Sequence, residues 1–293
     1  MNIGRVGIWT FALDLQPATQ AQQAAAEIER LGYGAIWIPE AMGREAFTSS
    51  AVLLAGTRRI TVATGIANMW ARDPMAMAAA QKTLAEAYPD RFLLGIGVSH
   101  EPMVTMRGHR YEKPLAAMRR YLEAMDSAPF MSVSPASPPQ RVLAALAPKM
   151  LKLAAERAAG SHPYFVPPEH TAVARQTMGR GPLLAPEQAV VLETDASAAR
   201  AVARAHMSIY LGLPNYVNNL KRLGFSDEDI ANGGSDRLVD AIVVWGNVDA
   251  VVKRVKAHHD AGADHVCIQV LDPDPRALPL RQWRELAPAL LGK

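Results

Sequence analysis

Arg59-Ile60-Thr61-Val62-Ala63-Thr64-Gly65-Ile66-Ala67-Asn68-Met69-Trp70-Ala71-Arg72-Asp73-Pro74 decides how the rest of the chain reads. Its first half is a short β-branched run of the kind that fills a strand buried on both faces, and such strands belong to parallel sheets. Asp73-Pro74 joins a helix N-cap residue to a proline suited to the first helical turn. A strand therefore hands over to a helix. The loop between them holds Gly65, Asn68 and Trp70, at the strand end where parallel α/β folds place their chemistry.

The alternation extends both ways. Upstream, Ile3 to Trp9 predicts a first strand, and Thr19 and Gln22 have capping-box spacing at the start of a helix that closes at Leu31-Gly32. Ala35-Ile36-Trp37-Ile38 predicts the second strand, stopped by Pro39-Glu40. Downstream, Met77, Ala80 and Leu84 recur at helical spacing, Arg91 to Val98 predicts the fourth strand, and a helix runs from about Pro114 to Met125. Ser127 to Pro139, rich in Pro, Ser and Ala, reads as a loop long enough to cover the mouth of the fold. Arg141 to Leu146 is the fifth strand, Pro148 opens a helix that closes at Ala159-Gly160, Ser161 to Val166 is the sixth strand and Glu187 to Leu192 the seventh. Thr194-Asp195 then starts the longest stretch without a strand, Ala196 to Trp245, predicted to be a helical insertion. Asn247 caps a helix carrying Val251, Val252 and Val255, and His265 to Val270 is the last strand. His258 and His259 fall in that helix, one read as solvated and the other as partly packed.

Eight strands alternating with helices predict an α/β fold of the (β/α)8 TIM-barrel type, typically about 250 residues, forming one domain over 1-293 with the insertion after the seventh strand. The rival is a dinucleotide-binding sheet. It rests on Gly95-Ile96-Gly97, but His100 stands where the third glycine belongs.

Composition narrows the partners. The 293 residues carry a net charge of +3, 49% hydrophobic and 20% charged residues, and no long Lys/Arg run, so no nucleic-acid partner is expected. A pI near 9.0 leaves room for an anionic ligand. Cys267 is the one cysteine, which excludes an intrachain disulfide and a Cys-based zinc site and suits a reducing compartment, so a cytoplasmic location is expected. No apolar run reaches the roughly 18 residues of a spanning helix, and no leader or membrane partner is expected. The expected partner is a small molecule.

In a barrel the strand ends converge on one mouth: Trp9, Thr10 and Phe11; Glu40; Asn68 and Trp70; Ser99 and His100; Ala145 to Lys149; His162 and Tyr164. Aromatic rings, few carboxylates and small-residue turns suit a flat conjugated ligand better than a metal or a sugar phosphate. No metal motif is present. Each residue also has a structural reading. Trp9 and Trp37 can fill a barrel layer, Trp70 can serve its own loop, and His100 and His162 can be turn residues instead of proton carriers. Glu40 is either a base or an anchor for the next loop. One carboxylate cannot serve glycosidase chemistry, which needs two, and no Gly-x-Ser-x-Gly nucleophile turn occurs.

With these residues the sequence resembles the bacterial luciferase-like superfamily, in particular its deazaflavin (coenzyme F420)-dependent oxidoreductases. The resemblance rests on Leu31 to Glu40, Thr64-Gly65-Ile66, Arg91 to Val98 and Ala261 to Val266. It implies a homodimeric (β/α)8 barrel whose third strand bulges beneath the cofactor ring at a non-prolyl cis peptide, by position Gly65-Ile66. It implies Gly97, Val98 and Ser99 against the ring and ribityl chain, with Asn68 beside the bulge, and Ala145, Leu146, Ala147 and Lys149 at the tail phosphate. Trp9, Phe11, Trp70 and Tyr164 would line the substrate pocket. The relatives' Asp-His pair after the second strand is Glu40-Ala41 here, so that proton acceptor is missing. His100 falls where relatives place an acidic proton donor, with His162 and Glu40 as reserves. The implied activity is hydride transfer between F420 and a small organic substrate, in the direction of reduction. The alternatives are an FMN-dependent monooxygenase fed reduced flavin and a cofactor-binding protein without turnover.

Overall fold

In the computed structural model, which describes residues 1–292, all the strand pairings are parallel. The strands are β1 (Val6–Trp9), β2 (Ala35–Ile38), β3 (Thr61–Thr64), β4 (Ala67–Asn68), β5 (Phe92–Gly97), β6 (Arg141–Leu143), β7 (Gly160–Ser161), β8 (Leu183–Leu184), β9 (Glu187–Val191), β10 (Val243–Trp245) and β11 (Val266–Val270). Their order is β10-β9-β11-β1-β2-β3-β5-β6-β7-β8, with β4 beside β5. β8 and β9 are consecutive pieces of one extended segment. Ala185 N donates to Ser161 O at 2.9 Å and Cys267 N donates to Pro186 O at 3.0 Å, so this segment bridges β7 and β11 and closes the curl. The curled sheet with surrounding helices is a TIM-barrel-like α/β fold.

The strands are apolar on both faces because each face meets a different core. Ile36, Ile38, Val62, Leu94, Val266 and Ile268 point outward into the layer shared with the helices. Their neighbours Ala35, Trp37, Ala63, Leu93 and Cys267 fill the inside of the curl with Trp9 and Val142. A side-chain period of two delivers both sets from one strand.

β3 does not run evenly along β5. Ala63 pairs with Leu93 and Ala67 with Ile96, four residues of advance on one strand against three on the other, which is a one-residue bulge. The Thr64 hydroxyl spans the break, accepting from Gly95 N at 2.9 Å and donating to Gly95 O at 2.7 Å. Gly95 is required there: a Cβ would stand 2.0 Å from Thr64 O.

Local signals at helix starts hold where a side-chain cap forms. Asp73 accepts from Ala76 N ahead of Pro74, Asp195 from Ala198 N, and Asn247 from Ala250 N. Several expectations are corrected. The first helix is Ala18–Leu31 with Pro17 at its N-cap and no side-chain cap bond, so the Thr19/Gln22 capping box does not form; the proline starts the helix one residue early and puts Thr19 inside the first turn. A helix at Ala46–Ala55, capped by Glu45, occupies a region with no periodic signal. Val243–Trp245 is a strand beside Ala189–Val191, not part of a helical stretch. Between Val191 and Val243 the chain forms the helices Ala196–Leu211, Pro214–Arg222, Asp227–Ile230 and Asp236–Ile242 with a 3₁₀ turn.

The loop 127–139 does not cover the mouth. It leads into the start of β6, where Gln140 O accepts from Leu94 N and Gln81 Nε2, and its end packs near Met1 and Pro89. A segment entering a strand lies at the opposite end from the one where strands finish. His258 is fully buried, bridging Thr171 Oγ1 at 2.8 Å and Gln188 Oε1 at 2.9 Å. Among the described residues no helix is long and apolar enough to cross a membrane.

One carboxylate ties the first helix to the central strand. Glu29 Oε2 accepts from Arg58 N, Arg59 N and Ile60 N at 2.9, 2.6 and 2.9 Å. Burial pushes its pKa up, but the three backbone donors outweigh that and hold it below the ordinary carboxylate value. A depressed folded pKa contributes stability at neutral pH that disappears as the pH falls through it. Glu29→Gln is therefore expected to cost about 1–2 kcal/mol at pH 7, with the gap to wild type closing in acid, as read from denaturant midpoints across pH.

Candidate active site

The bulge after β3 forms the floor of the site. The Gly65–Ile66 peptide bond is cis. Gly65 N donates to Ile38 O at 2.7 Å, Glu40 N donates to Ile66 O at 3.2 Å, and Trp9 Nε1 donates to Gly65 O at 3.1 Å. A Cβ on Gly65 would lie 2.6 Å from Trp9 Nε1 and 2.9 Å from His162 Nε2; one on Gly97 would lie 2.5 Å from the Ile66 side chain. Glycines at both positions let β5 and two rings close on the bulge.

Glu40 holds the loops around this floor. Its side chain is 3% exposed and forms an ion pair with Arg72. Oε2 accepts from Arg72 Nη1 at 2.9 Å and from Asn68 N at 2.7 Å, and Oε1 accepts from Ala46 N at 3.2 Å and from Arg72 Nη2. Both oxygens are thus occupied by donors, which leaves no lone pair free for a substrate proton. Arg72 is shared with Glu45, the cap of the next helix. Asn68 is buried, its Oδ1 accepting from Trp70 N at 2.9 Å, and Trp70 Nε1 donates to Val98 O at 3.0 Å. Asn68 and Trp70 stand behind the turn after β5 and brace it.

Above the floor opens a cavity of about 1200 Å³. Of the residues predicted from sequence, Trp9, Phe11, Glu40, Gly65, Ile66, Gly97, Val98, Ser99, His100, Ala145, Leu146, Ala147, His162 and Tyr164 line it; Asn68, Trp70 and Lys149 do not. Lys149 is exposed in the first turn of the helix Pro148–Arg157. Sequence reasoning missed His206, Tyr210, Tyr216 and Arg222, which descend onto the cavity from the helices Ala196–Leu211 and Pro214–Arg222. The available signal was a cluster of aromatic residues flanking Gly212 and Pro214 in the stretch read as a helical insertion.

Arg222 is the one Lys or Arg on this wall among the described residues. Its hydrogen bond is a long one, Nη2 to Asn219 Oδ1 at 3.4 Å, and it has no carboxylate partner within ion-pair distance. It stands near the Ala144–Ala147 turn: His170 Nε2 donates to Leu146 O at 2.9 Å, and burial followed by the charge of Arg222 lowers the His170 pKa.

The two predicted proton carriers are both neutral at pH 7. His100 Nδ1 lies 3.2 Å from Asn215 Oδ1, so the neutral ring keeps its proton on Nδ1, and burial lowers its pKa. His162 Nδ1 donates to Ala185 O at 2.7 Å, its ring stacks 4.3 Å from Trp37, and burial pulls its pKa down to about 4. Its Nε2 is sealed beneath Gly65 without a partner. Tyr164 OH donates to Gln269 Oε1 and meets Tyr210 OH, both at 2.8 Å.

Comparison with known proteins bears on this geometry. A Mycobacterium tuberculosis protein provisionally named a coenzyme F420-dependent oxidoreductase is 26% identical, the match covering 89% of this chain and 93% of the relative. The solved structure of the coenzyme F420-dependent tetrahydromethanopterin reductase from Methanopyrus kandleri superposes with a TM-score of 0.77 at 17% identity over 99% of each chain. The FMN complex of the oxygenating constituent of 3,6-diketocamphane monooxygenase from Pseudomonas putida superposes with a TM-score of 0.70 at 16% identity, covering 98% of this chain and 96% of that one. At such identities the two structures share the fold with this chain. The model of the luciferase-like monooxygenase family matches residues 5–265, a span that contains the bulge, the turn after β5 and the helices over the cavity, and the chain belongs to that family.

Proposed function

We propose that the protein is a coenzyme F420-dependent oxidoreductase that reduces a small organic substrate. The observation that carries this reading is the cavity, large, apolar-floored and provided with a single unpaired cation beside the Ala144–Ala147 turn. Its volume of about 1200 Å³ accommodates a flavin-sized ring with an anionic tail plus a substrate. Gly65, Ile66, Gly97, Val98 and Ser99 would meet the ring. Ala145, Leu146 and Ala147, at the start of the helix Pro148–Arg157, would meet the tail phosphate together with Arg222. When bound, a deazaflavin supplies hydride exchange with an organic substrate. The residues of this chain flatten and dry the floor, neutralise the tail and deliver the proton. We read the helices between Val191 and Val243 as an insertion that roofs the cavity.

Deazaflavin and flavin mononucleotide share the ring shape and the phosphate, so the FMN monooxygenase reading is tested in the same experiment. Titration of the protein with F420 and with FMN is expected to give the tighter constant for F420; preference for FMN with no F420 binding sinks the proposal. Arg222→Ala is expected to weaken F420 by about 1.5–3 kcal/mol, roughly 10- to 150-fold, as a charge-assisted contact is lost. Lys149→Ala, outside the wall, is expected to change affinity little. The reverse ranking would return the phosphate to Lys149.

We assign proton delivery to His100. Its imidazolium is the acid, present only below a pKa that burial holds under 6.5. The rate of the reduction step should therefore fall as pH rises through that depressed pKa. His100→Gln should lower turnover about 10²- to 10⁴-fold and remove this limb of the profile, with F420 affinity retained. Rates within about twofold of wild type at every pH, measured on a substrate found by screening enones, imines and ketones, would leave His100 as a turn residue.

A further inference from the structure

A residue from outside the strands meets both the turn after β5 and the segment after β7. Tyr216, in the helix Pro214–Arg222, places its ring centroid 5.5 Å from His100, 5.4 Å from Phe165, 5.3 Å from Tyr210 and 6.3 Å from Tyr164. Rings on four sides leave a buried phenol little freedom to turn. The neighbouring phenols spend their protons on protein: Tyr164 donates to Gln269 Oε1, and the proton of Tyr210 then faces Tyr164 Oη. Tyr216 differs. Its hydroxyl has no hydrogen-bond partner among the described residues, and, unlike the orphan nitrogens of His162 and His206, it is not sealed off while its side chain borders the cavity.

A buried hydroxyl facing an apolar pocket loses its water partners and favours a ligand that replaces them. What surrounds it restricts the ligand's chemistry. Trp9 and Phe11 meet edge to face at 4.7 Å, and Trp9 lies 4.9 Å from Tyr164, so the inner wall is aromatic and favours flat conjugated molecules. Glu40 is consumed by Arg72, and the other carboxylates on the cavity wall, Asp272 and Asp274, stand in the segment after β11, where Asp272 accepts from Gln282 Nε2 and Asp274 N and Asp274 accepts from Arg276 N. Arg222 lies by the 144–147 turn. On the oxidoreductase reading above, we propose that the substrate is a conjugated carbonyl compound and that Tyr216 donates the hydrogen bond to its oxygen. Burial keeps this phenol protonated well above pH 10, so it acts as a donor throughout the working range. That separates it from His100, whose acid form exists only at low pH.

The probe is trans-cinnamaldehyde carrying ¹³C at the carbonyl, bound to protein preloaded with oxidised F420, which cannot reduce it. Loading is scored first by F420 fluorescence, and failure at that stage tells against the cofactor reading, not against Tyr216. With loaded wild type the carbonyl resonance is expected to move downfield and to stay shifted from about pH 5 to about pH 9, a range in which His100 and the buried Glu187 beside Phe165, whose pKa burial pushes up to about 8, change charge while the phenol keeps its proton. Tyr216→Phe is expected to abolish the shift and weaken the probe about 3- to 10-fold, while F420 affinity and the thermal midpoint stay near wild type. His100→Gln is expected to keep the shift. A shift that survives in Tyr216→Phe, one that appears only in acid, or none in wild type overturns the assignment. The pH arm needs no variant, so it decides the matter even if Tyr216→Phe fails to fold.

Discussion

The buried ion pair between Glu40 and Arg72 is the interaction on which the working end of the protein depends. The carboxylate stands at the end of β2, the guanidinium beyond the bulge that follows β3, and the pair draws in the backbone of Asn68 and of Ala46. A carboxylate that is 3% exposed is costly to desolvate, and it is tolerable only because every acceptor site is filled by a cation or a backbone N–H. Removing one partner would strand the other. The bulge, the turn braced by Trp70 on Val98 and the first helix after β2 are in this way three parts of one cluster.

Upon that floor the molecule divides its labour between two kinds of element. The curled sheet provides what must be rigid: glycines at 65 and 97 where no Cβ fits, and stacked rings at Trp37 and His162 that fill the interior. The helices between Val191 and Val243 provide what can vary, an aromatic wall from Tyr210 and Tyr216 and the cation Arg222. Chemistry common to a family rests well on the first, and selection among substrates on the second.

The histidines show how burial sorts residues of one type. His162, His170 and His258 all lie within the fold with lowered pKa values and hydrogen bonds to carbonyl or side-chain oxygens. His100 is also shifted down, but its Nε2 faces the cavity side of a turn and not a sealed interior. The distinction is one of access.

The sequence by itself determined the alternation of strands and helices and the caps at Asp73, Asp195 and Asn247, while the bulge after β3 was expected only through the family resemblance. The alternation and the caps follow from side-chain periodicity and from hydrogen bonds between residues a few positions apart, which a local reading contains. It did not determine that Val243–Trp245 joins the sheet, because a three-residue strand has no period of its own and exists through its pairing with Ala189–Val191. Nor did it separate Glu40 the anchor from Glu40 the base, since the partner that occupies it lies 32 residues away. Lys149 is the cation beside the 144–147 turn in the chain and Arg222 lies far from it in sequence, and only the packing of the helix Pro214–Arg222 over the sheet decided that Arg222 is the one that faces the cavity. Local pattern specifies the elements; which side chains meet at the site depends on contacts between elements distant in sequence, and those are made only when the fold closes.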